Sequence, residues 1–164
     1  MFTALICLCA WISIPLGDTV FTLQTFALFL SLLLLGGRLT FWVCAAYLLL
    51  GAAGLPVFSG FRGGMGMLLG PTGGYLWGFL ISSAIYALCP KRKIWGLCLG
   101  LLGCYLCGTL WFWTLYLDTD VPMALGAVII KCVLPYLIPD AIKLTLSLLL
   151  SKRLRKFITL PSGA

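Results

Sequence analysis

The chain consists largely of apolar runs so nearly continuous that water-exposed loops have little room between them. Between their breakers the runs fall at about residues 2–15, 25–36, 39–54, 74–89, 94–117 and 122–150. In hydrocarbon no water is present to meet a backbone N–H or C=O, so each must find its partner within the protein, and a helix is the local solution. The alternating period of a barrel strand is absent. Composition agrees: 62% of the 164 residues are hydrophobic and 9% are charged, against roughly 25% charged in soluble domains, and the mean hydropathy is +1.14. A spanning helix needs about 20 apolar residues, so this length supplies about five to seven spans. We therefore expect an all-α integral membrane protein, a single six-transmembrane-helix bundle over residues 1–164.

The second run is short, which predicts a helix that is tilted or shielded by its neighbours rather than by lipid. The last run contains Pro135 and Pro139. Each removes an amide donor and crowds the carbonyl four residues earlier, so a kink or break is expected there. No period of 20 to 50 residues emerges, which leaves no sign of a solenoid or of inverted repeats.

Charge orients the runs. Arg38, Lys91, Arg92, Lys93, Lys152, Arg153, Arg155 and Lys156 fall on one side, and Asp18, Arg62, Asp118 and Asp120 on the other. The basic side is cytoplasmic by the positive-inside rule. A multi-pass protein of the cell membrane is expected, with both termini in the cytoplasm. The formal charge of +7 is spread over short loops and a tail without an aromatic-interleaved basic stripe, so no nucleic-acid partner is expected. The KRLRK run beginning at Lys152 reads as a stop-transfer anchor, or alternatively as a docking site for anionic lipid or a cytoplasmic partner.

Several chemistries find no support. The eight cysteines lie mostly within apolar runs, where a thiol behaves as a small hydrophobe. Cys104 and Cys107 form a CxxC inside a span, but with no histidine and no second CxxC they complete no metal site. The N-terminal MFTALICLCAWISIP lacks a basic n-region and a small-residue cleavage site, and reads as a first span rather than a signal peptide.

Three ionisable residues remain at membrane depth: Lys131, Asp140 and Lys143. An Asp or Lys at a helix centre costs roughly 2.5 to 3.5 kcal/mol on insertion scales, so keeping several calls for a cavity, a partner or a task. Lys131 can snorkel to the outer surface. Asp140 and Lys143, three residues apart, share a helical face and can neutralise each other. They either lock the last helix against its neighbours, with Lys143 snorkelling, or build a site. Pro139 just before Asp140 favours a site, because disturbed backbone at membrane depth is tolerated mainly where it lines a cavity or is buried in protein. The expectation is that a bound ligand, not the protein's own packing, satisfies this pair.

The stretch GLPVFSGFRGGMGMLLGPTGGY, Gly54 to Tyr75, carries eight glycines, two prolines and one arginine. Such a chain can fold back as a compact lid with Phe58, Phe61, Met65, Met67, Leu68 and Leu69 as its apolar underside. Arg62 could hold an anionic end through a bidentate pair. No strand precedes the glycines and no GKS or GKT follows, which excludes the dinucleotide and P-loop turns. A re-entrant pore loop has one arginine and no acidic ring to work with.

GLPVFSGFRGG followed by GPTGGY, with the TLQTF stretch from Thr22 before them and D-x-x-K at Asp140 and Lys143 after them, resembles the BioY family. These are the biotin-specific S components, the substrate-binding subunits of energy-coupling factor (ECF) transporters. The resemblance implies a six-helix bundle that captures biotin from outside, beneath the loops after spans one and three, with a glycine-rich extracellular lid between helices three and four. Asp140 and Lys143 would face the ureido ring, whose two N–H donors and C=O acceptor match a carboxylate and an ammonium group. We expect Arg62 to take the valerate carboxylate or a nearby polar contact, Tyr75 and Trp77 to supply wall, Gln24 a polar contact, and Gly63, Gly64, Gly70, Pro71, Thr72, Gly73 and Gly74 to form the lid. Leu76 follows GGY where family members can carry arginine, and Ile138 and Pro139 stand where they often show Pro-Gly. Biotin would be cargo and no cofactor is implied. The implied partners are a transmembrane coupling subunit and two cytoplasmic ATPases, since this chain has no nucleotide motif. Two other classes stay open: a small channel or facilitator for another ligand, and a membrane enzyme using Asp140 and Lys143 as acid and base, which no nucleophile constellation supports.

Overall fold

A computed structural model describes residues 1–16, 19–89, 92–117 and 125–156. Asp18, Lys91, Asp118, Asp120, the first residues of the last expected span and the side chain of Lys131 lie outside the described residues. The described chain runs α1 (Phe2–Trp11), β1 (Ser13–Leu16), β2 (Thr19–Thr22), α2 (Gln24–Leu35), α3 (Gly37–Ala52), α4 (Met65–Leu69), α5 (Gly73–Leu88), α6 (Lys93–Leu117), α7 (Leu125–Cys132) and α8 (Leu134–Leu154).

The fold is helical apart from one antiparallel hairpin, in which Ser13 pairs with Thr22 and Ile14 with Phe21. Sequence reading carried the first span through residue 15, and the structure ends it at Trp11. The reason is local: the residue before a proline is driven out of the helical region, so Pro15 forces Ile14 into extended backbone and the chain turns into strand. The last expected span is divided as well. It breaks at Val133, and Pro135 occupies the first turn of α8, where a missing N–H costs nothing. Pro139 lies inside α8.

Lys93–Leu117 and Gly126–Leu154 are long and apolar enough to cross a bilayer, while α1, α2, α3 and α5 are shorter apolar helices. At about 1.5 Å per residue, α2 with its 12 residues is far too short to span hydrocarbon alone. It has no need to face lipid: nine of those residues, Gln24 and Ala27 through Leu34, are buried. The bundle wraps this helix and turns its apolar side chains outward elsewhere, as at Trp42, Leu49, Leu102, Leu106, Ile142 and Leu149. An apolar exterior of this kind fits a lipid surround and not water. α2 passes into α3 through the single residue Gly36, whose φ of 83° only glycine adopts freely.

Lipid tails are as apolar as leucine, so helices in a membrane associate through close packing of small residues and through polar contacts. Both devices are present. On α5 the small residues Gly74, Gly78 and Ser82 recur every four positions, and on α6 so do Gly96, Gly100, Cys104 and Gly108. A methyl group on Gly78 would lie 2.8 Å from Cys104 Sγ and 3.0 Å from its Cα, and one on Gly100 would lie 2.7 Å from Ser82 Oγ. α8 meets α2 with its own small polar stripe, Ser147 and Ser151, each bonded back to a carbonyl of its own helix.

The bundle has two unlike ends. At one, Gly37 packs on the backbone of Ala87, Gly96 on Tyr86, and Arg155 donates to the carbonyl of Leu33 in the last turn of α2. Arg38, Arg92, Lys93, Lys152, Arg153 and Lys156 follow the helix ends that gather there. At the other end the 53–72 segment is folded, not a slack connector. Trp11 Nε1 donates to Pro56 O at 2.8 Å and its ring stacks on Phe61 at 4.8 Å, while Trp111 Nε1 donates to Gly70 O at 3.1 Å. Between these anchors Gly60 and Phe61 both take positive φ, closing a tight turn in which Phe58 N bonds Arg62 O.

Because the Cβ of an alanine at position 78 would meet the backbone of Cys104, Gly78→Ala should cost about 1–3 kcal/mol of stability through overpacking. Gly126→Ala, whose added methyl meets nothing within 4 Å, should be neutral or mildly stabilising. Thermal melts of the purified variants in one detergent check this; equal melting of both would remove the close α5–α6 contact as a support of the fold.

Candidate functional site

Beneath the 53–72 segment lies a cavity of about 790 Å³, its open mouth included. Its lower wall is the end of β2 and the start of α2 (Thr22, Gln24, Thr25), its sides are α5 and α6 (Tyr75, Leu76, Phe79, Leu101, Cys104, Tyr105), and its far wall is α7 and α8 (Cys132, Tyr136, Asp140, Lys143). Phe58, Ser59, Met67 and Thr72 close it from above. The lining is mostly apolar or aromatic, with its polar groups concentrated at one end, which is the usual make-up of a small-molecule site.

That polar end is a hydrogen-bonded cluster centred on Asp140, 2% exposed, and Lys143, 4% exposed. Their helical spacing puts Lys143 Nζ 2.7 Å from Asp140 Oδ1. Thr25 Oγ1 donates to the same oxygen at 2.9 Å, and the Tyr105 hydroxyl donates to Oδ2 at 2.5 Å. Lys143 Nζ also donates to Thr22 O at 2.7 Å and Thr25 Oγ1 at 3.0 Å, and sits 4.1 Å from the centre of the Phe21 ring. An ammonium group has three protons, and all three are taken. The expectation that a ligand rather than the protein satisfies this pair is therefore corrected: β2, α2 and α6 supply its partners. The physical reason is that a charge so deeply buried cannot wait unpaired for a ligand.

The other expected residues divide. Gln24, Thr72 and Tyr75 line the cavity beside Asp140 and Lys143. Gln24 is itself held between Thr22 Oγ1 and the Tyr47 hydroxyl, with Nε2 2.6 Å from the latter, and Tyr75 OH donates to Cys132 O at 3.4 Å. Arg62 is exposed and outside the lining, as is Trp77 at 38% exposure. The turn at Gly60 and Phe61 carries Arg62 along the outer edge of the segment. Gly63, Gly64, Gly70, Pro71, Gly73 and Gly74 are not among the lining residues; at Gly63, Gly70 and Gly73 the missing side chain lets backbones meet. Gly63 abuts the carbonyl of Leu55 and Gly73 that of Leu68, and Gly64 N donates to Gly51 O at 2.7 Å.

Sequence reading missed Tyr105. A lone tyrosine in the apolar run of α6 carries no pattern of its own. Thr25 was marked only by its place in the TLQTF stretch.

The BioY family model matches residues 1–159. The chain belongs to the BioY family. It is 41% identical over 160 residues, 95% of this chain and 92% of the relative, to "Biotin transporter BioY" of Thermotoga maritima. It is 38% identical over 157 residues, 94% of this chain and 92% of the relative, to "Probable biotin transporter BioY" of Pyrococcus horikoshii. Among solved structures it resembles the S component for biotin from an ECF-type ABC transporter, with a TM-score of 0.80 and 26% identity over 94% of this chain and 87% of that one. For a BioY chain, then, the polar cluster stands at the end of an otherwise apolar cavity.

Removing one partner of a buried ion pair leaves the other uncompensated, so Lys143→Met should lower stability by about 3–5 kcal/mol, whereas Asp140→Leu with Lys143→Met should restore most of it. Melting temperatures of the two proteins without ligand test this. A double variant as unstable as the single one would remove the charge pair as the cause.

Proposed function

We propose that this chain is the biotin-binding S component of an ECF-type transporter, a transport subunit and not an enzyme. It would hold biotin in the cavity under the 53–72 segment and pass it inward with a transmembrane coupling subunit and two cytoplasmic ATPases. The observation that carries the reading is the buried Asp140–Lys143 cluster at the polar end of that cavity, in a chain whose relatives bear the name biotin transporter.

We read α1, α2, α3, α5, α6 and the α7–α8 pair as six crossings, with the basic end in the cytoplasm and the cavity opening outside. On this reading both termini are cytoplasmic, and the hairpin and the 53–72 segment form the outer cover. The ureido ring would lie against Asp140. Its carbonyl can reach Lys143 only if the ammonium gives up one protein acceptor, Thr22 O or Thr25 Oγ1, so binding at that edge is an exchange rather than the filling of a vacancy.

For the carboxylate tail the described residues of the lining offer no cation besides Lys143. We assign the tail to the covered side, where the hydroxyls of Ser59, Thr72 and Tyr75 stand beside the first turn of α5, whose positive dipole end favours an anion. Arg62, out on the mouth, would act on the tail from there or by longer-range attraction.

Isothermal titration of biotin into purified protein tests the assignment. Wild type should bind, and Asp140→Asn should bind about tenfold or more weakly, because hydrogen bonds to a charged group contribute more than neutral ones. Arg62→Ala should lose less than Asp140→Asn. No binding by wild type, or equal binding by all three, would defeat the reading.

A further inference from the structure

We infer that Tyr105 is a positioning residue for ligand recognition: it holds Asp140 Oδ2 toward the cavity so that one lone pair of that oxygen remains for a ligand N–H. The inference builds on the biotin-binding reading above.

An ionised carboxylate offers about four acceptor sites, two on each oxygen. Oδ1 is full, taking protons from Thr25 Oγ1 at 2.9 Å and Lys143 Nζ at 2.7 Å. Oδ2 takes the Tyr105 hydroxyl at 2.5 Å, the one donor the described residues give it. A single acceptor site is left, on Oδ2, and both Asp140 and Tyr105 line the cavity.

Tyr105 comes from α6, across the cavity from the helix that carries Asp140 and Lys143. That placement gives its hydroxyl a particular task. Lys143 sits one turn along the same helix, and without a donor on the opposite side the carboxylate can rotate to give both oxygens to the ammonium group. The remaining lone pair would then turn away from the ligand. With Tyr105 bonded to Oδ2, the carboxylate is stretched between two helices and cannot close on its counter-ion. The phenol donates its proton to Asp140 and so offers a ligand only its own oxygen lone pairs. This edge of the cavity therefore presents acceptors, which suits a ligand that arrives with N–H groups.

The test is a double-mutant cycle read by biotin titration on wild type, Tyr105→Phe, Asp140→Asn and the joint variant, with melting temperatures alongside. Phenylalanine keeps the ring and deletes only the hydroxyl. Tyr105→Phe should weaken biotin about tenfold, the loss of one hydrogen bond to a charged group. The joint variant should bind no more than about twofold more weakly than Asp140→Asn, because Tyr105 acts through the carboxylate and coupled residues are not additive. Wild-type affinity in Tyr105→Phe, or losses that multiply, would overturn the inference while leaving the biotin site standing. Failure of wild type itself to bind would defeat the functional reading and this inference with it. Should Tyr105→Phe not fold, 3-fluorotyrosine at 105 keeps both ring and hydroxyl. Its fluorine resonance should move on saturation with biotin, and an unmoved resonance would overturn the inference.

Discussion

The arrangement of this protein depends on an ion pair buried where ions are costly. Asp140 and Lys143 lie on α8, but the groups that make their burial tolerable come from elsewhere: Thr22 at the end of β2, Thr25 at the start of α2, and Tyr105 midway along α6. Three elements distant in sequence are thereby tied at one point. In a bilayer, where no hydrophobic force draws one apolar helix to another, such a point sets which helices meet and in what register. The cluster is at once part of the scaffold and the polar end of the cavity.

The cavity results from two opposite kinds of helix contact. α5 and α6 are brought together by residues with little or no side chain, and their backbones nearly touch at Gly78 and Gly100. α8 stands off from that pair, reaching it through the Tyr105 hydroxyl, while α7 packs on the far half of α6 through Phe112, Val128 and Cys132 and takes the Tyr75 hydroxyl on Cys132 O. A bundle that is tight on one side and propped on the other has to leave space between. The 53–72 segment covers that space with Phe58 and Met67 and is fastened at its two ends by the indoles of Trp11 and Trp111.

Much of this was legible in the sequence because hydrophobic runs and their breakers obey simple rules. The helices of runs two to five appear where expected, the short second run is indeed shielded by its neighbours, and the last run breaks at Val133, just before Pro135, while Pro139 lies within α8. The hairpin was missed, although Pro15 announced the end of the first helix, because an apolar strand of four residues looks like the tail of an apolar helix. The spacing of small residues on α5 and α6 was present in the sequence and went unread. Asp140 and Lys143 stood out because charge in an apolar run is costly. Tyr105 did not, since a tyrosine in a span is ordinary until a carboxylate is found beside its hydroxyl. Arg62 was drawn inward by its neighbours in the glycine loop, but a tight turn at Gly60 and Phe61 decides its direction, and turn geometry of that kind is not written in residue type alone.

The contacts between α8 and α2 bear on which part of the fold can move. Lys143 and Asp140 hold the first turn of α2 and Thr22 at the end of β2, Ser147 and Ser151 allow close approach along the middle, and Arg155 caps the last turn at Leu33. α8 thus grips α2 along its whole length with polar groups at both ends. Sliding one helix along the other would break all of these contacts together, and packed helices shift between discrete registers rather than by degrees. The elements over the cavity are held differently. The hairpin ends at Thr22, whose carbonyl is one of three acceptors shared by Lys143, and the 53–72 segment is held by two indole hydrogen bonds, a ring stack, the bonds of Gly64 N to Gly51 O and of Tyr47 OH to Val57 O, and the buried side chains of Phe58 and Leu68. Access to the cavity is expected beside the hairpin and the 53–72 segment, which form its cover, with the α2–α8 pair as the fixed floor.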